Sequence, residues 1–516
     1  MKSHISRRDF LKLAGLLPVS VAAPGFVHSL DSLASAQQKA QNVIVVVFDA
    51  FSASNISVYG YQRETTPNLA RLSERAIVYH NHYAGGNFTT PGTASLLTGV
   101  LPWTHRAFHN RETVQDAFVG KNIFAAFPGY HRLSYSHNPL VNVFIDQFKH
   151  SIDETVPRSR LFVKKSIDPL SIFESDEDIA TVSWVRAMQN RQEGYAYSLF
   201  FSHLYDWING SFEDNLIAGL KSQFPRGLPN IANDNYYLLE DAINWLNGYL
   251  GTLPQPLLGY FHFLPPHAPY RTHREFYGRF NDDRWKPASK PLDLFASGED
   301  RQPEKLLSKR TSYDEFILYV DREFGRLFDH LESSGLLENT WVVLTSDHGE
   351  MFERGISGHK TPVLYDPVIR VPLMIFEPGR KRRLDVHLPT SAIDILPTLL
   401  HVTGQQPVSW GEGIVLPPFL DSSQNRSRSV YAMESKKNGK YQPLTIATTT
   451  LIKDRYKLMY FFGYDELGSG NERIELYDLK RDPEEMNDVY TSKRETASEL
   501  LNELKGKLAE VDEPYL

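Results

Sequence analysis

The chain has 516 residues, 41% hydrophobic and 23% charged, a balance typical of a globular protein with a large core and not of a disordered chain. Its formal net charge of -7 offers no basic surface for tracking phosphates, so we expect no nucleic-acid partner. The absence of cysteine excludes disulfides and thiolates, and any metal ion must bind to carboxylate, imidazole or hydroxyl groups.

The first predicted element is an export signal. Arg7 and Arg8 precede an apolar run that Pro18 interrupts, and residues 34–36 (ASA) offer a cleavage site. The run is too short to span a bilayer, which takes roughly 20 apolar residues, so we expect no stable membrane span. Because the segment resembles a twin-arginine signal, we predict that residues 1–36 direct the folded chain to the periplasm or the extracellular space.

Short apolar runs with long helix-compatible stretches between them predict a large, mostly parallel sheet flanked by helices, an α/β fold. The runs are residues 42–48, 257–264, 340–345 and 371–376. Asp49 follows the first run, His267 the second, and Asp347 with His348 the third. Ligands of open α/β sheets bind beyond the carboxyl ends of the strands, so we expect these four side chains to meet at one edge.

A core-facing helix is predicted before the third run. Apolar residues recur at helical spacing from Phe316 to Leu331, and Ser312 with Glu315 resembles a capping box that would start the helix. Residues 286–309, rich in Pro, Lys and Asp, predict a surface excursion.

The C-terminal part has a different pattern. From about residue 429 the chain shows short alternating segments, such as residues 456–462, and then a polar helix-like stretch from about Ser492. We therefore predict a main α/β domain over residues 37–428 and a smaller α+β subdomain over residues 429–516.

A hydroxyl-rich turn stands at the start of another predicted helix, at residues 89–99 (TTPGTASLLTG). Free backbone N–H groups at a helix N-terminus favour anions. A hydroxyl at this place can attack a phosphoryl or sulfuryl centre if a metal ion lowers its pKa. The pattern alone also fits a plain turn, because threonine beside proline is common in turns.

Several motifs in matching order resemble the sulfatase family of the alkaline phosphatase superfamily. Residues 89–99 resemble the sulfatase signature, with Thr89 at the position of the nucleophile. The other matching segments are residues 65–69 (TTPNL), 265–270 (PPHAPY), 346–350 (SDHGE), 358–360 (GHK), 364–366 (LYD), 370–373 (RVPL) and 475–483 (ELYDLKRDP). They span nearly the whole mature chain. The resemblance implies an alkaline-phosphatase-like fold and a metal-dependent ester hydrolase.

Three departures from the family pattern shift the expected substrate from sulfur to phosphorus. Sulfatases oxidise a cysteine or serine to formylglycine, which Thr89 cannot become. The arginine four residues after the nucleophile is Thr93 here, and the paired aspartates after the first strand are reduced to Asp49. Relatives with a threonine nucleophile are phosphodiesterases, phosphatases and phosphoethanolamine or phosphoglycerol transferases.

The resemblance implies a role for each motif residue. One divalent cation is predicted to bind Asp49, Thr89, Asp347 and His348, with Zn or Mn favoured and Ca possible. Thr89 would attack the ester, His267 and His359 would protonate the leaving oxygen or orient the oxyanion, and Lys360 would add positive charge. His137, in a poorly matching segment, and Asn87, as an oxyanion donor, are weaker candidates. Outside the family context, Asp347 and His348 would be read as a turn cap and a core histidine.

The leading hypothesis is hydrolysis of a phosphate mono- or diester, small or glycan-linked, outside the cytoplasm. The alternatives are sulfate ester hydrolysis by direct attack of Thr89, a phosphoethanolamine-type transferase, and a non-catalytic protein that binds sugars or anions. Specificity is expected from loops, here residues 206–235 and 286–309, and Trp207, Tyr236 and Tyr237 could stack on a sugar. The sequence gives no indication of the oligomeric state.

Overall fold

The computed structural model describes residues 40–163, 204, 215–230, 235–420 and 428–516. The predicted export signal, Trp207 and residues 206–214 and 231–234 of the predicted specificity loop lie outside these residues. Within the described part of the chain, no helix is both long enough and apolar enough to cross a bilayer.

The strands and helices alternate along much of the chain. The strands are β1 Asn42–Phe48, β2 Ile77–Tyr79, β3 His82–Tyr83, β4 His131–Ser136, β5 Glu154–Thr155, β6 Leu257–Phe263, β7 Thr340–Thr345, β8 Met351–Glu353, β9 Ile356–Gly358, β10 Leu373–Phe376, β11 Leu384–Val386, β12 Thr390–Ser391, β13 Ser429–Glu434, β14 Ala447–Lys453, β15 Tyr456–Phe462 and β16 Glu472–Asp478. The α-helices with both ends among the described residues are α1 Pro67–Ser73, α2 Thr89–Thr98, α3 Pro102–His105, α4 Pro139–Gln147, α5 Leu239–Tyr249, α6 Pro303–Ser333, α7 Asp366–Ile369, α8 Ile395–Val402 and α9 Arg494–Asp512.

The central sheet has eight strands in the order β11-β2-β10-β7-β1-β6-β4-β5. The strand β10 is antiparallel to both of its neighbours, whereas the other adjacent strands pair in parallel. The fold is therefore α/β with a large, mostly parallel sheet, which confirms the predicted class.

Helices cover both faces of this sheet, and β1 shows why its sequence is apolar throughout. Ile44, Val46 and Phe48 contribute to the core shared with α5 and α6. Val43 and Val45, which point the opposite way, contribute to the core shared with α2, α4 and α8. A strand buried on both faces has no solvent side, so it carries a continuous apolar run in place of an alternating one.

Two predicted boundaries are wrong. Helix α6 begins at Pro303 and not near Ser312, and it takes in the last residues of the predicted excursion. Proline suits the first helical turn, where its missing N–H needs no partner. The carboxylate of Glu315 does not cap this helix, because it accepts from the N–H of Gly278 and from Arg226.

The strand predicted at residues 371–376 begins at Leu373. Pro372 precedes it, and a proline cannot donate a hydrogen bond to a neighbouring strand. Its reversed direction was not evident from the sequence, because the apolar run looks the same in either orientation.

The C-terminal subdomain is a four-stranded antiparallel sheet, β13-β14-β15-β16. Leu458 and Leu476 of this sheet pack against Leu500 and Leu504 of α9. A backbone bridge between Gly86 and Met433 of β13 ties this sheet to the loop before α2.

Candidate active site

The strand register brings the side chains of Asp49, His262 and Asp347 to one edge of the sheet. Val47 of β1 lies beside His262 of β6 and Thr345 of β7. Side chains two positions apart on a strand point to the same face. Asp49 and Asp347 therefore continue the rows of Val47 and Thr345 past the carboxyl ends of β1 and β7. The side chains of Asp49, His262 and Asp347 are all buried.

Asp49, Asp347 and His348 form a cluster suited to a metal ion, since one potential ligand atom from each lies within 4.8 Å of the others. The Nε2 atom of His348 lies 3.3 Å from Oδ1 of Asp49 and 3.6 Å from Oδ2 of Asp347. The three residues come from segments separated by 298 positions, so only the folded sheet creates this cluster.

The hydrogen bonds around the cluster leave ligand atoms free. The Nδ1 atom of His348 lies 2.9 Å from the carbonyl oxygen of Gly349, so in the neutral ring, the form that binds a metal ion, Nδ1–H donates and Nε2 carries the lone pair. Among the described residues, Oδ1 of Asp49 has no hydrogen-bond donor although it is buried. A buried, unpartnered carboxylate oxygen beside an imidazole lone pair fits a divalent cation.

The electrostatics of the cluster also favour a cation. Burial and the Asp49 charge raise the pKa of the Asp347 carboxyl. Burial also acts against ionisation of Asp49, but the surrounding imidazoles, that of His267 first, outweigh burial and lower the pKa of Asp49 well below its usual value. Burial opposes protonation of His348, yet the charge of Asp347 prevails and raises the pKa of His348 to about 9. Two adjacent buried carboxylates thus draw positive charge into the cluster.

Thr89 is the first residue of α2 and is almost completely buried. Its Oγ1 atom lies 3.4 Å from Nε2 of His348 and 3.5 Å from Nδ2 of Asn138. The preceding residue, Phe88, is extended, so the chain turns into the helix at the hydroxyl. The N-terminus of α2 therefore presents Thr89 beside the metal cluster, with free N–H groups near the same point.

A close backbone contact sets the position of this helix. A Cβ atom built on Gly92 would lie 2.1 Å from the carbonyl oxygen of Asp347. Only glycine therefore allows the first turn of α2 to approach the end of β7 this closely.

His267 and His359 lie against the cluster. The ring of His359 is 4.3 Å from that of His348 and 4.9 Å from that of His267, measured between centroids. The Nδ1 atom of His359 lies 3.1 Å from Glu350, and burial, followed by the charges of the other histidines, lowers the pKa of His359 well below its usual value. Lys360 follows at the exposed rim, where burial of part of its side chain and the neighbouring Lys436 lower its pKa.

Asn87 is not a free oxyanion donor. Its Nδ2 group donates to the carbonyl oxygens of His359 and Thr361, each at 2.8 Å, so both amide hydrogens are engaged. Asn87 instead clamps the segment that carries Lys360. His137 is buried in an aromatic setting and stacks on Tyr237 with ring centroids 4.5 Å apart.

Two polar residues at the site were missed from the sequence. Asn138 follows β4, and its Nδ2 group donates to Oδ2 of Asp49 as well as facing Thr89. His262 lies within β6, with Nε2 3.4 Å from Oδ2 of Asp49 and 3.7 Å from Oδ2 of Asp347. The available signals were an asparagine directly after a strand and an ionisable residue inside an otherwise apolar run.

A buried carboxylate and imidazole cluster at the carboxyl edge of an alkaline-phosphatase-like sheet, with a hydroxyl beside it, defines the class of sulfuric and phosphoric ester hydrolases. The family model described as Sulfatase matches residues 41–140 and 179–405. The chain belongs to this family. A second model, described as N-sulphoglucosamine sulphohydrolase, C-terminal, matches residues 359–514.

Individual relatives agree over most of the chain. Choline-sulfatase of Rhizobium meliloti (strain 1021) is 24% identical, with 88% of this chain and 83% of the relative aligned. N-acetylglucosamine-6-O-sulfatase of Bacteroides thetaiotaomicron is 23% identical, with 98% of this chain and 94% of the relative aligned. The crystal structure of phosphonate monoester hydrolase of Agrobacterium radiobacter superposes with a TM-score of 0.61 at 19% identity, covering 92% of this chain and 96% of that one.

Proposed function

We propose that the protein hydrolyses a phosphate mono- or diester, small or glycan-linked, through a covalent intermediate on Thr89. The observation that carries this proposal is the 3.4 Å separation between the Thr89 hydroxyl and Nε2 of His348, inside a buried cluster suited to a metal ion. A hydroxyl at a helix N-terminus beside such a cluster meets the geometric requirement for a nucleophile.

Asp49, Asp347 and His348, with the Thr89 oxygen, would hold one divalent cation, and their mixed oxygen and imidazole atoms favour Zn or Mn. Such a cation supplies Lewis-acid stabilisation of the ester oxygens and lowers the pKa of the hydroxyl. In the first step the bond from Thr89 Oγ1 to phosphorus forms while the bond from phosphorus to the leaving oxygen breaks. In the second step water attacks the same phosphorus and releases Thr89, together with phosphate from a monoester or a phosphate monoester from a diester.

His267 is the proposed acid for the leaving oxygen. Its Nδ1 atom lies 2.7 Å from the carbonyl oxygen of Ala268, so Nδ1–H donates there and Nε2 is the ring atom that would carry the transferable proton. His359, whose lowered pKa favours the neutral ring, is the proposed orienting partner. Lys360 adds positive charge at the rim of the site.

Sulfate ester hydrolysis is the second candidate, and it is favoured by the relatives, whose names include choline-sulfatase and N-acetylglucosamine-6-O-sulfatase. Against it stands the nucleophile position, since threonine cannot be converted into the formylglycine of sulfatases. Parallel assays with an aryl phosphate, an aryl phosphodiester and an aryl sulfate separate the two. A higher kcat/KM for the sulfate would contradict the phosphate proposal.

The covalent step is tested on Thr89 itself. Thr89→Ala is expected to lower kcat by on the order of 10⁴-fold, because it removes the nucleophile, whereas Thr89→Ser keeps a hydroxyl and should retain measurable turnover. Thr90→Ala is the matched control, since it removes the adjacent buried hydroxyl from the same turn. Mass spectrometry of acid-quenched enzyme should find phosphate on the peptide that contains Thr89. Wild-type turnover in Thr89→Ala would refute the proposal.

We also propose that this hydrolysis takes place outside the cytoplasm. The support is the twin-arginine pattern at Arg7 and Arg8, in a segment outside the described residues. Replacing both arginines by lysine should leave the protein in the cytoplasmic fraction with its activity unchanged. Undiminished export of the double variant would contradict this proposal.

A further inference from the structure

A buried pair on β6, Tyr260 and His262, lies directly against the metal cluster and has no place in the mechanism above. The hydroxyl of Tyr260 is 3.0 Å from Nδ1 of His262. Both side chains are fully buried. They point to the same face of the sheet because they are two positions apart, and that face also carries Asp49 and Asp347.

The distances show which atoms the imidazole faces. The Nε2 atom of His262 is 3.4 Å from Oδ2 of Asp49 and 3.7 Å from Oδ2 of Asp347. His348, in contrast, faces Oδ1 of Asp49 at 3.3 Å. The Asp49 carboxylate therefore stands between two imidazoles, and each imidazole faces a different oxygen.

The surroundings determine the tautomer of His262. Because Nδ1 of His262 faces a hydroxyl that can donate to it, and not a carbonyl oxygen as in His348, the proton of the ring can lie on Nε2, where it faces two carboxylate oxygens. The lone pair is then on Nδ1, where it accepts the hydroxyl hydrogen of Tyr260. Among the described residues, Nε2 has no conventional hydrogen-bond partner, although it is completely buried. A small movement of either carboxylate would bring it into hydrogen-bonding range.

We infer that His262 is a positioning residue of the metal site, which holds the Asp49 and Asp347 carboxylates at ligating separation, and that Tyr260 fixes its orientation. Groups that hydrogen-bond to metal ligands usually contribute 10- to 100-fold in metal affinity. This inference rests on the metal site of the proposed function, and it adds a determinant of affinity that neither the sulfatase motifs nor the ligand cluster contains.

The test measures metal binding and not turnover. The full chain, freed of metal by a chelator, is titrated calorimetrically with Zn²⁺. His262→Leu, which removes the donor and keeps the bulk, should weaken the affinity by about 10- to 100-fold. His262→Gln, whose amide can replace the Nε2–H, should recover most of that loss. His82→Leu is the matched control, because His82 is an equally buried histidine that contacts Thr390 and not the cluster.

A Co²⁺ absorption spectrum separates positioning from direct ligation. It should be the same in wild type, His262→Gln and Tyr260→Phe, because the ligand atoms are unchanged. An altered spectrum in His262→Gln would indicate that His262 is a ligand and would overturn the inference. A wild-type Zn²⁺ affinity in His262→Leu would overturn it as well. If His262→Leu does not fold, the Zn²⁺ affinity of Tyr260→Phe tests the inference instead. An unchanged affinity in that variant would refute the proposal that Tyr260 orients His262 for its role at the metal site. If the wild-type chain binds neither ion, the metal site itself fails, which is a different outcome.

Discussion

A single methyl group added at Gly92 should disable the site without replacing any proposed ligand side chain. In Gly92→Ala the new Cβ would start 2.1 Å from the carbonyl oxygen of Asp347, whereas real Cβ atoms essentially never approach closer than 3.0 Å. The first turn of α2 and the end of β7 must therefore separate by roughly 1 Å. Overpacking of this kind costs about 1–3 kcal/mol, and a displacement of about 1 Å between reacting groups costs about 10²-fold in rate.

The assay compares kcat/KM and the urea unfolding midpoint of wild type, Gly92→Ala and a matched control. The control is Gly506→Ala, the same change on the exposed face of α9, where nothing lies within 4 Å of the new Cβ. It should leave kcat/KM unchanged and raise the free energy of unfolding by roughly 0.5–1 kcal/mol. Gly92→Ala should lower both quantities. A variant with wild-type kcat/KM would refute the argument that this contact sets the distance from Thr89 to the cluster.

Three further predictions concern stability. Removal of the metal ion by a chelator should abolish turnover. It should also lower the free energy of unfolding by about 3 kcal/mol, relative to protein with metal at a hundred times Kd. An unchanged unfolding midpoint would exclude a tightly bound ion. Lys457→Met removes the ammonium that now lies 2.9 Å from Asp366 and 2.7 Å from Glu485, and leaves two buried carboxylates unpaired. Urea titrations should show a free energy of unfolding lower by about 3–5 kcal/mol. The control Lys453→Met, which breaks a half-buried ion pair with Glu503, should lower it by less than about 1 kcal/mol. Burial raises the pKa of Asp321 to about 6, so its folded state holds the proton more tightly than the unfolded state and stability falls as pH rises from about 4 to about 6. Asp321→Asn should flatten this fall by up to about 3 kcal/mol, and parallel pH profiles would contradict the assignment.

The sequence was sufficient for the fold class because the buried strands carry an unambiguous pattern. The run from Asn42 to Phe48 is apolar on both faces and ends at Asp49, which is the pattern of an inner strand at a ligand-binding edge. The strand ends also predicted that Asp347 and His348 would approach Asp49. The chemical roles of these residues, and those of Thr89, His267, His359 and Lys360, remain predictions until they are measured.

Other features depended on tertiary contacts that no local pattern encodes. Helix α6 extends back to Pro303 because its first turns pack on the rest of the fold, whereas the capping-box pattern at Ser312 predicted a later start. The contacts of His262 and Asn138 with the carboxylate cluster could be recognised only from the register of β1, β4 and β6. Asn87 was misassigned for a similar reason, because the carbonyl groups that occupy its amide are more than 270 positions away.

The central place of β1 in the sheet has a consequence for how the chain is made. Its partners β6 and β7 follow it by more than 200 residues, at Leu257–Phe263 and Thr340–Thr345. During synthesis the NVIVVVF segment therefore leaves the ribosome long before either partner exists, and both of its hydrogen-bonding edges stay open. Such a segment has the composition of an aggregation-prone strand. The nascent chain should therefore depend on chaperones until residue 345 has been added.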